Sequence, residues 1–144
     1  MTVQQILKLK GDHTVITVPL SATLSDVAMI LSSRRIGAIV VSEDGETPLG
    51  ILSERDIVRE LGRRGAGCMA DPVASVMTAK VVTCTKRDAA LGVLQKMTDG
   101  RFRHMPVMEG DKMVGFISIG DVVKLRLGEL VMEKEALEGM IKGF

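Results

Sequence analysis

At 144 residues, 46% of them hydrophobic, the chain has one domain's worth of material for a buried core. Nineteen basic side chains against eighteen acidic ones give a net charge of +1, split eight to nine over residues 1–72 and eleven to nine over 73–144; no single-sign field points to nucleic acid or an anionic membrane. With no Trp, no Tyr and three Phe there is no stacking platform for single strands, no apolar run nears the ~20 residues that span a bilayer, and residues 1–20 do not read as a signal peptide, so a soluble cytoplasmic protein is expected.

In chain order, Val3, Ile6 and Leu7 form a short apolar stripe at helical spacing. Val15 to Val18 reads as a strand, and Thr23-Leu24-Ser25-Asp26 has the form of a helix start, with Val27, Ile30 and Leu31 as the apolar stripe behind it. Gly37 to Val41 is a buried strand, Asp44-Gly45 a hairpin turn, Leu49 to Leu52 the return strand, and a helix follows from Ser53. The run Gly62-Arg63-Arg64-Gly65-Ala66-Gly67 reads as a linker, with Cys68 beside it as a bystander. The same order then recurs: a strand at Val81 to Cys84, a helix across Asp88 to Met97, strands at His104 to Met108 and Met113 to Ile117, and a long C-terminal helix. Cys84 reads as a small buried hydrophobe, and two isolated cysteines without a C-x-x-C give no zinc or redox motif.

The recurrence is also one of residues. Gly50-Ile51-Leu52-Ser53-Glu54-Arg55-Asp56 and Gly115-Phe116-Ile117-Ser118-Ile119-Gly120-Asp121 share Gly, two apolar residues, Ser and Asp at one spacing, 115 − 50 = 65 positions apart. Upstream the offset is 66, pairing Thr17 with Thr83, Val27 with Val93, and Ile36 to Val41 with Phe102 to Val107. Units of a little over sixty residues exceed solenoid repeats and predict an α+β fold of two pseudo-symmetric half-domains, each a small three-stranded sheet with packed helices. The division falls at 1–67, with the N-terminal helix and the linker, and 68–144, with the C-terminal extension helix.

Ser53-x-x-Asp56 and Ser118-x-x-Asp121 each match a capping box, the simpler reading on the residues alone. The same geometry suits a ligand. A helix N-terminus offers free N–H groups to an anion, and a carboxylate one turn in can accept hydrogen bonds from the two hydroxyls of a ribose. Arg101, Arg103 and His104 add phosphate-type donors ahead of a strand, close in the repeat to Arg34 and Arg35. Arg55 is a further candidate.

These motifs, with Arg35-Ile36-Gly37-Ala38-Ile39-Val40-Val41, Arg101 to Val107, and Val73-Ala74-Ser75-Val76-Met77-Thr78, resemble a tandem pair of cystathionine β-synthase (CBS) domains, a Bateman module. The resemblance covers nearly all of the chain. It implies that Asp56 and Asp121 hold ribose, that Ser53 and Ser118 lie near phosphate, and that Arg103 and His104 reach the phosphate with Arg101 nearby. It also implies an adenine pocket bordered by Thr17 and Thr83 and by Gly37-Ala38 or Met105-Pro106. The site containing Asp121, Ser118, Arg103 and His104 is expected to be the better equipped for phosphate.

The implied function is a regulatory module that binds an adenine nucleotide (AMP, ADP, ATP or NADH) and reports energy or redox state to a regulated partner. The alternative is a protein-interaction module with empty, vestigial sites. No G-x-S-x-G and no nucleophile paired with His13 or His104 supports catalysis, so no catalytic cofactor or metal is expected. Val123, Leu127, Leu130, Val131, Leu137, Met140 and Ile141 continue as an apolar stripe past the repeat. An amphipathic face must be buried somewhere, and, with the resemblance, it implies a homodimer.

Overall fold

The computed structural model describes residues 1–11 and 14–141; His13 lies outside them. The mixed α/β architecture consists of two three-stranded sheets with five helices packed on them. Helix α1 (Val3–Lys10) leads into β1 (Thr17–Val18), α2 (Leu24–Arg34), β2 (Ala38–Val41), β3 (Gly50–Ser53) and α3 (Glu54–Arg64). Two short 3-10 turns, Ala66–Ala70 and Val73–Ser75, precede β4 (Cys84–Thr85), α4 (Ala90–Gly100), β5 (His104–Glu109), β6 (Lys112–Ser118) and the 23-residue α5 (Ile119–Ile141).

In each half a two-residue strand pairs in parallel with the central strand, which pairs antiparallel with the third. The parallel pairing requires a crossover, supplied by α2 and α4, while the antiparallel one closes through a hairpin. Asp44 shapes the first hairpin: its carboxylate accepts from the amides of Thr47 and Glu46 at 2.8 Å and, more weakly, from Ser42 Oγ at 3.1 Å, bonds that hold its pKa down at about 2. The expected first strands at Val15 and Val81 begin two to three residues later. Val15-Ile16 and Val81-Val82 leave the ladder to wall clefts between the halves.

The helix after β3 also runs longer than its glycines suggest. It passes through Gly62 to Arg64 and stops at Gly65, whose φ of 75° suits a residue without a side chain. Glu60 pairs with Arg63 at 3.2 Å and Arg64 at 2.7 Å, and Arg64 reaches on to Asp71 at 2.6 Å, so the would-be linker is tied to the helix. Cys68 is correspondingly no bystander: at 3% exposure it sits in the core of the first half with Val73.

The two hydrophobic cores exchange segments. Val3, Ile6 and Leu7 lie in the core of the second half, against Val93, Met105 and Ile117, so this stripe is covered within its own chain. Residues 68–77 pack on the first half. The exchange is symmetric in its hydrogen bonds. Val3 N donates to Asp88 O at 2.9 Å and Ala90 N to Met1 O at 2.9 Å; Val73 N donates to Ala22 O at 2.7 Å and Leu24 N to Asp71 O at 3.0 Å. The motif glycines make room for it. A Cβ on Gly50 would stand 2.4 Å from Met77 Sδ, and one on Gly115 would stand 2.8 Å from Leu7 Cδ2.

Leu7 is 2% exposed. Its replacement in Leu7→Ala is expected to cost about 2–5 kcal/mol, the usual range for a buried Leu truncation. In this Trp-free chain the measurement is urea unfolding followed by far-UV circular dichroism. A change below half a kilocalorie would show that α1 is not part of the second core.

Candidate functional site

Each motif sits where a strand hands over to a helix. Ser53 caps α3: Asp56 N donates to Ser53 Oγ at 3.3 Å, while Ser53 N and Oγ donate to Asp56 Oδ2 at 2.9 and 3.0 Å. In the second half Asp121 N donates to Ser118 Oγ at 3.2 Å and Ser118 N to Asp121 Oδ2 at 2.8 Å. Both capping boxes therefore form. Each carboxylate also meets a cation, Arg59 from the next turn of α3 on Asp56, and Lys10 of α1 at 3.0 Å on Asp121.

Two clefts open between the halves. The larger, about 1070 Å³, joins Ser53, Glu54, Arg55, Asp56 and Arg59 of the first half to Arg101, Phe102, Arg103 and His104 of the second, with Lys80, Val81 and Val82 along one side. The smaller, about 400 Å³, joins Ser118 and Asp121 of the second half to Arg35, Ile36, Gly37 and Ala38 of the first, with Lys10, Val15 and Ile16 alongside. Each cleft thus combines the acidic helix start of one repeat with the pre-strand segment of the other. Gly37, His104 and Ser118 line both.

This crossing separates residues that the sequence groups together. Arg101 and Arg103 face the larger cleft with Asp56, whereas Asp121 faces the smaller one. The phosphate-type cations therefore stand with the first motif, not the second. The reason is topological: the Arg101–His104 segment enters β5 beside the start of α3, across the boundary between halves. Of the other candidates, Ser53 and Arg55 line the larger cleft and Ala38 the smaller. Thr17, Thr83, Met105 and Pro106 line neither; Thr17 pairs with Val40, Met105 is fully buried in the second core, and Pro106 pairs with Phe116.

Several lining residues went unnoticed in the sequence. Lys10, Glu54, Arg59 and Lys80 carry charge into the clefts, and Val81 and Val82 give the larger one an apolar side. The repeat offset gives no signal for Lys80, which falls opposite Thr14 (80 − 66 = 14), and only the fold brings α1 and Lys10 to Asp121.

The charge balance favours an anion in the larger cleft. Arg55, Arg59, Lys80, Arg101 and Arg103 face Glu54 and Asp56 there, five cations to two anions, against Lys10 and Arg35 to Asp121 in the smaller. Arg35 and Arg101 end α2 and α4 in the left-handed region, at φ 54° and 56°. A glycine ordinarily takes that place at lower cost. Both repeats keep an arginine there, and both arginines line a cleft, which places backbone strain where a ligand would meet it.

His104 stacks on Phe116 with ring centroids 5.5 Å apart. Burial pushes its pKa below the ordinary value; the Asp121 and Glu54 carboxylates oppose the shift and Lys10 and Arg103 reinforce it. Burial also pushes the Cys84 thiol up to about 12, which leaves it protonated and unreactive as a nucleophile. Among the described residues no group of His, Cys, Asp and Glu could hold a metal ion, and no helix is long and apolar enough to cross a membrane.

The CBS domain model matches residues 11–63 and again 73–128, and the chain belongs to the CBS domain family as a tandem pair. The mitochondrial CBS domain-containing protein CBSX3 of Arabidopsis thaliana is 33% identical over 149 residues, covering 99% of this chain and 72% of that protein. The chain spans only 19% of another Arabidopsis relative, CBSCBSPB1, at 31% identity. A CBS-domain containing protein from Agrobacterium tumefaciens superposes with a TM-score of 0.83 at 39% identity, covering 88% of this chain and 99% of that one. A CBS domain protein from Pyrobaculum aerophilum, solved in complex with AMP, superposes with a TM-score of 0.73 at 25% identity, covering 84% and 89%.

Because His104 binds its proton more weakly folded than unfolded, stability is complete above the unfolded value and falls as pH drops through it toward the folded one. The unfolding free energy is expected to decline as pH falls through about 6.5, the ordinary histidine value, and to decline less in His104→Gln. Equal declines in both proteins would mean that His104 does not carry the dependence.

Proposed function

We propose that this chain is a non-catalytic regulatory module that binds an adenine nucleotide, AMP, ADP, ATP or NADH, chiefly in the larger cleft. The observation that carries the reading is the meeting of Asp56, at a helix start, with five cationic side chains in one cleft. Asp56 would accept the ribose hydroxyls once Arg59 swings to the phosphate. Arg101 and Arg103 would take the phosphate oxygens, Arg being suited to bidentate contact. Val81, Val82 and Phe102 would cover the base. The AMP complex of the P. aerophilum relative supports the same ligand class. The alternative, an interaction module with empty sites, is favoured by the cations already resting on both motif carboxylates.

Thermal unfolding separates the two readings. At one hundred times its dissociation constant a ligand adds about 2.7 kcal/mol of stability, a shift of several degrees. No shift with any of the four nucleotides at millimolar concentration favours the empty-site reading. Asp56→Glu tests the contact itself. Glu serves a capping box as well as Asp, so unliganded stability should hold. The carboxylate moves by a methylene, and losing hydrogen bonds to a charged group costs about 1.5–3 kcal/mol, roughly ten- to a hundred-fold in affinity. Unchanged affinity would reduce Asp56 to a cap.

The signal would pass through a homodimer. Within α5 only Val122 and Leu125 are buried, and from Leu127 to Ile141 the apolar stripe is exposed, as are Val58 and Leu61 on α3. Such a face marks an association surface. A dimer is expected in light scattering at micromolar concentration, and truncation after Leu125 should weaken it. A monomeric full-length protein overturns the assembly.

A further inference from the structure

Lys10 and Lys80 occupy the same place in the two exchanged segments. These align at an offset of seventy, pairing Val3 with Val73, Leu7 with Met77 and Lys10 with Lys80, and they make matching backbone bonds to the opposite halves. Their conformations then part. Residues 3–10 complete an α-helix, whereas Val73–Ser75 is a single 3-10 turn followed by irregular chain. The helix delivers Lys10 onto the motif carboxylate of the smaller cleft. Its Nζ lies 3.0 Å from Asp121 Oδ2 and donates to Phe116 O at 2.7 Å. Lys80 lines the larger cleft without an ion pair among the described residues.

We propose that Lys10 is an intramolecular latch on the smaller cleft, so that a ribose reaches Asp121 only by displacing its ammonium group, and the two clefts fill in order, the larger first. The inference rests on the adenine-nucleotide reading of these clefts and adds a regulation to it. Asp121 Oδ2 already accepts from Ser118 N and from Lys10, as Asp56 accepts from Ser53 N and Oγ and from Arg59, so the two carboxylates differ in how firmly the cation on each is held. Arg59 on Asp56 is a weaker obstacle. It is 60% exposed, bonds only Asp56 among the described residues, and stands among four other cations facing the same cleft. Lys10 is 35% exposed, holds two acceptors, and extends from a helix anchored in the core by Val3, Ile6 and Leu7. An ammonium in this position also disfavours cationic ligands in the smaller cleft.

The test is calorimetric titration of the full chain with AMP and, separately, adenosine. Lys10→Met keeps the aliphatic stem and removes the charge, and Lys10→Gln is a second variant should the first fold poorly. Each is made alone and in an Asp56→Asn background, where the larger cleft has lost its carboxylate. In that background both neutral variants are expected to tighten AMP and adenosine alike by about two- to five-fold, the scale of a partly exposed ion pair, while Lys10→Arg matches the parent. Unchanged affinity overturns the latch. Weaker AMP binding with unchanged adenosine binding also overturns it and makes Lys10 a phosphate donor instead. AMP binding that Asp56→Asn abolishes, and that neither neutral variant restores, shows that the smaller cleft is not a nucleotide site. No AMP binding by the wild-type chain at millimolar concentration sinks the reading beneath, and the latch falls with it.

Discussion

The architecture depends on an exchange of short apolar segments. Neither three-stranded sheet with its two helices closes its own core; each is completed by the residues that precede the other repeat in the chain. Val3, Ile6 and Leu7 fill the second core, and Cys68 and Val73 enter the first. Small sheets are marginal alone, and here neither half can be lifted out without opening the other. The glycine in each copy of the motif follows from this. Met77 lies against Gly50 and Leu7 against Gly115, closer than a Cβ would permit. A residue that in a sequence looks like part of a binding phrase is thus fixed first by packing.

The exchange also fixes how the repeats face each other, and therefore which residues share a cleft. Had each half been self-contained, the acidic helix start and the basic pre-strand segment of one repeat could have formed a site of their own. Instead Asp56 faces Arg101 and Arg103, and Asp121 faces Arg35. The two clefts share Gly37, His104 and Ser118 as a common wall. An occupant of one cleft that turns the His104 ring alters the lining of the other. That is the contiguous physical contact a coupling between two sites needs.

Much of this was legible in the sequence, and the rest was not, for definable reasons. Both capping boxes, the Asp44-Gly45 hairpin and the order of strands and helices follow from local chemistry, and local chemistry can be read from spacing. The segment exchange was harder. Leu7 stands ten residues before Thr17, but Met77 only six before Thr83 (17 − 7 = 10; 83 − 77 = 6), so the segments fall out of phase with the repeat. Val3, Ile6 and Leu7 consequently resembled a stripe in search of a partner, and Cys68 a loop residue. The division of Arg103 from Asp121 was invisible for another reason. Periodicity states which residues share a face within a repeat, not which face meets the neighbouring repeat.

The same capping geometry links the clefts to the exposed surface of the molecule. Asp121 lies in the first turn of α5, and the uncovered stripe begins two residues on at the exposed Val123 and continues through Leu127, about 9 Å from Asp121 along the axis at 1.5 Å per residue. No glycine or proline falls between Asp121 and Leu127, and Gly128 follows at once, so about a turn and a half of unbroken helix joins the two. A ligand that draws Asp121 toward the smaller cleft, or a lysine that holds it, acts at one end of a lever whose other end is apolar and uncovered. In the first repeat Asp56 stands in the same relation to the exposed Val58 and Leu61 of α3, but there the helix ends at Gly65 and is tied through Arg64 to Asp71. The two repeats therefore differ in leverage as well as in charge. The more cationic cleft sits at the shorter α3, tied through Arg64 to Asp71, and the cleft holding Lys10 and Asp121 at the longer α5. The more cationic cleft and the longer uncovered helix thus belong to opposite motifs, and Gly37, His104 and Ser118 form the wall common to both clefts.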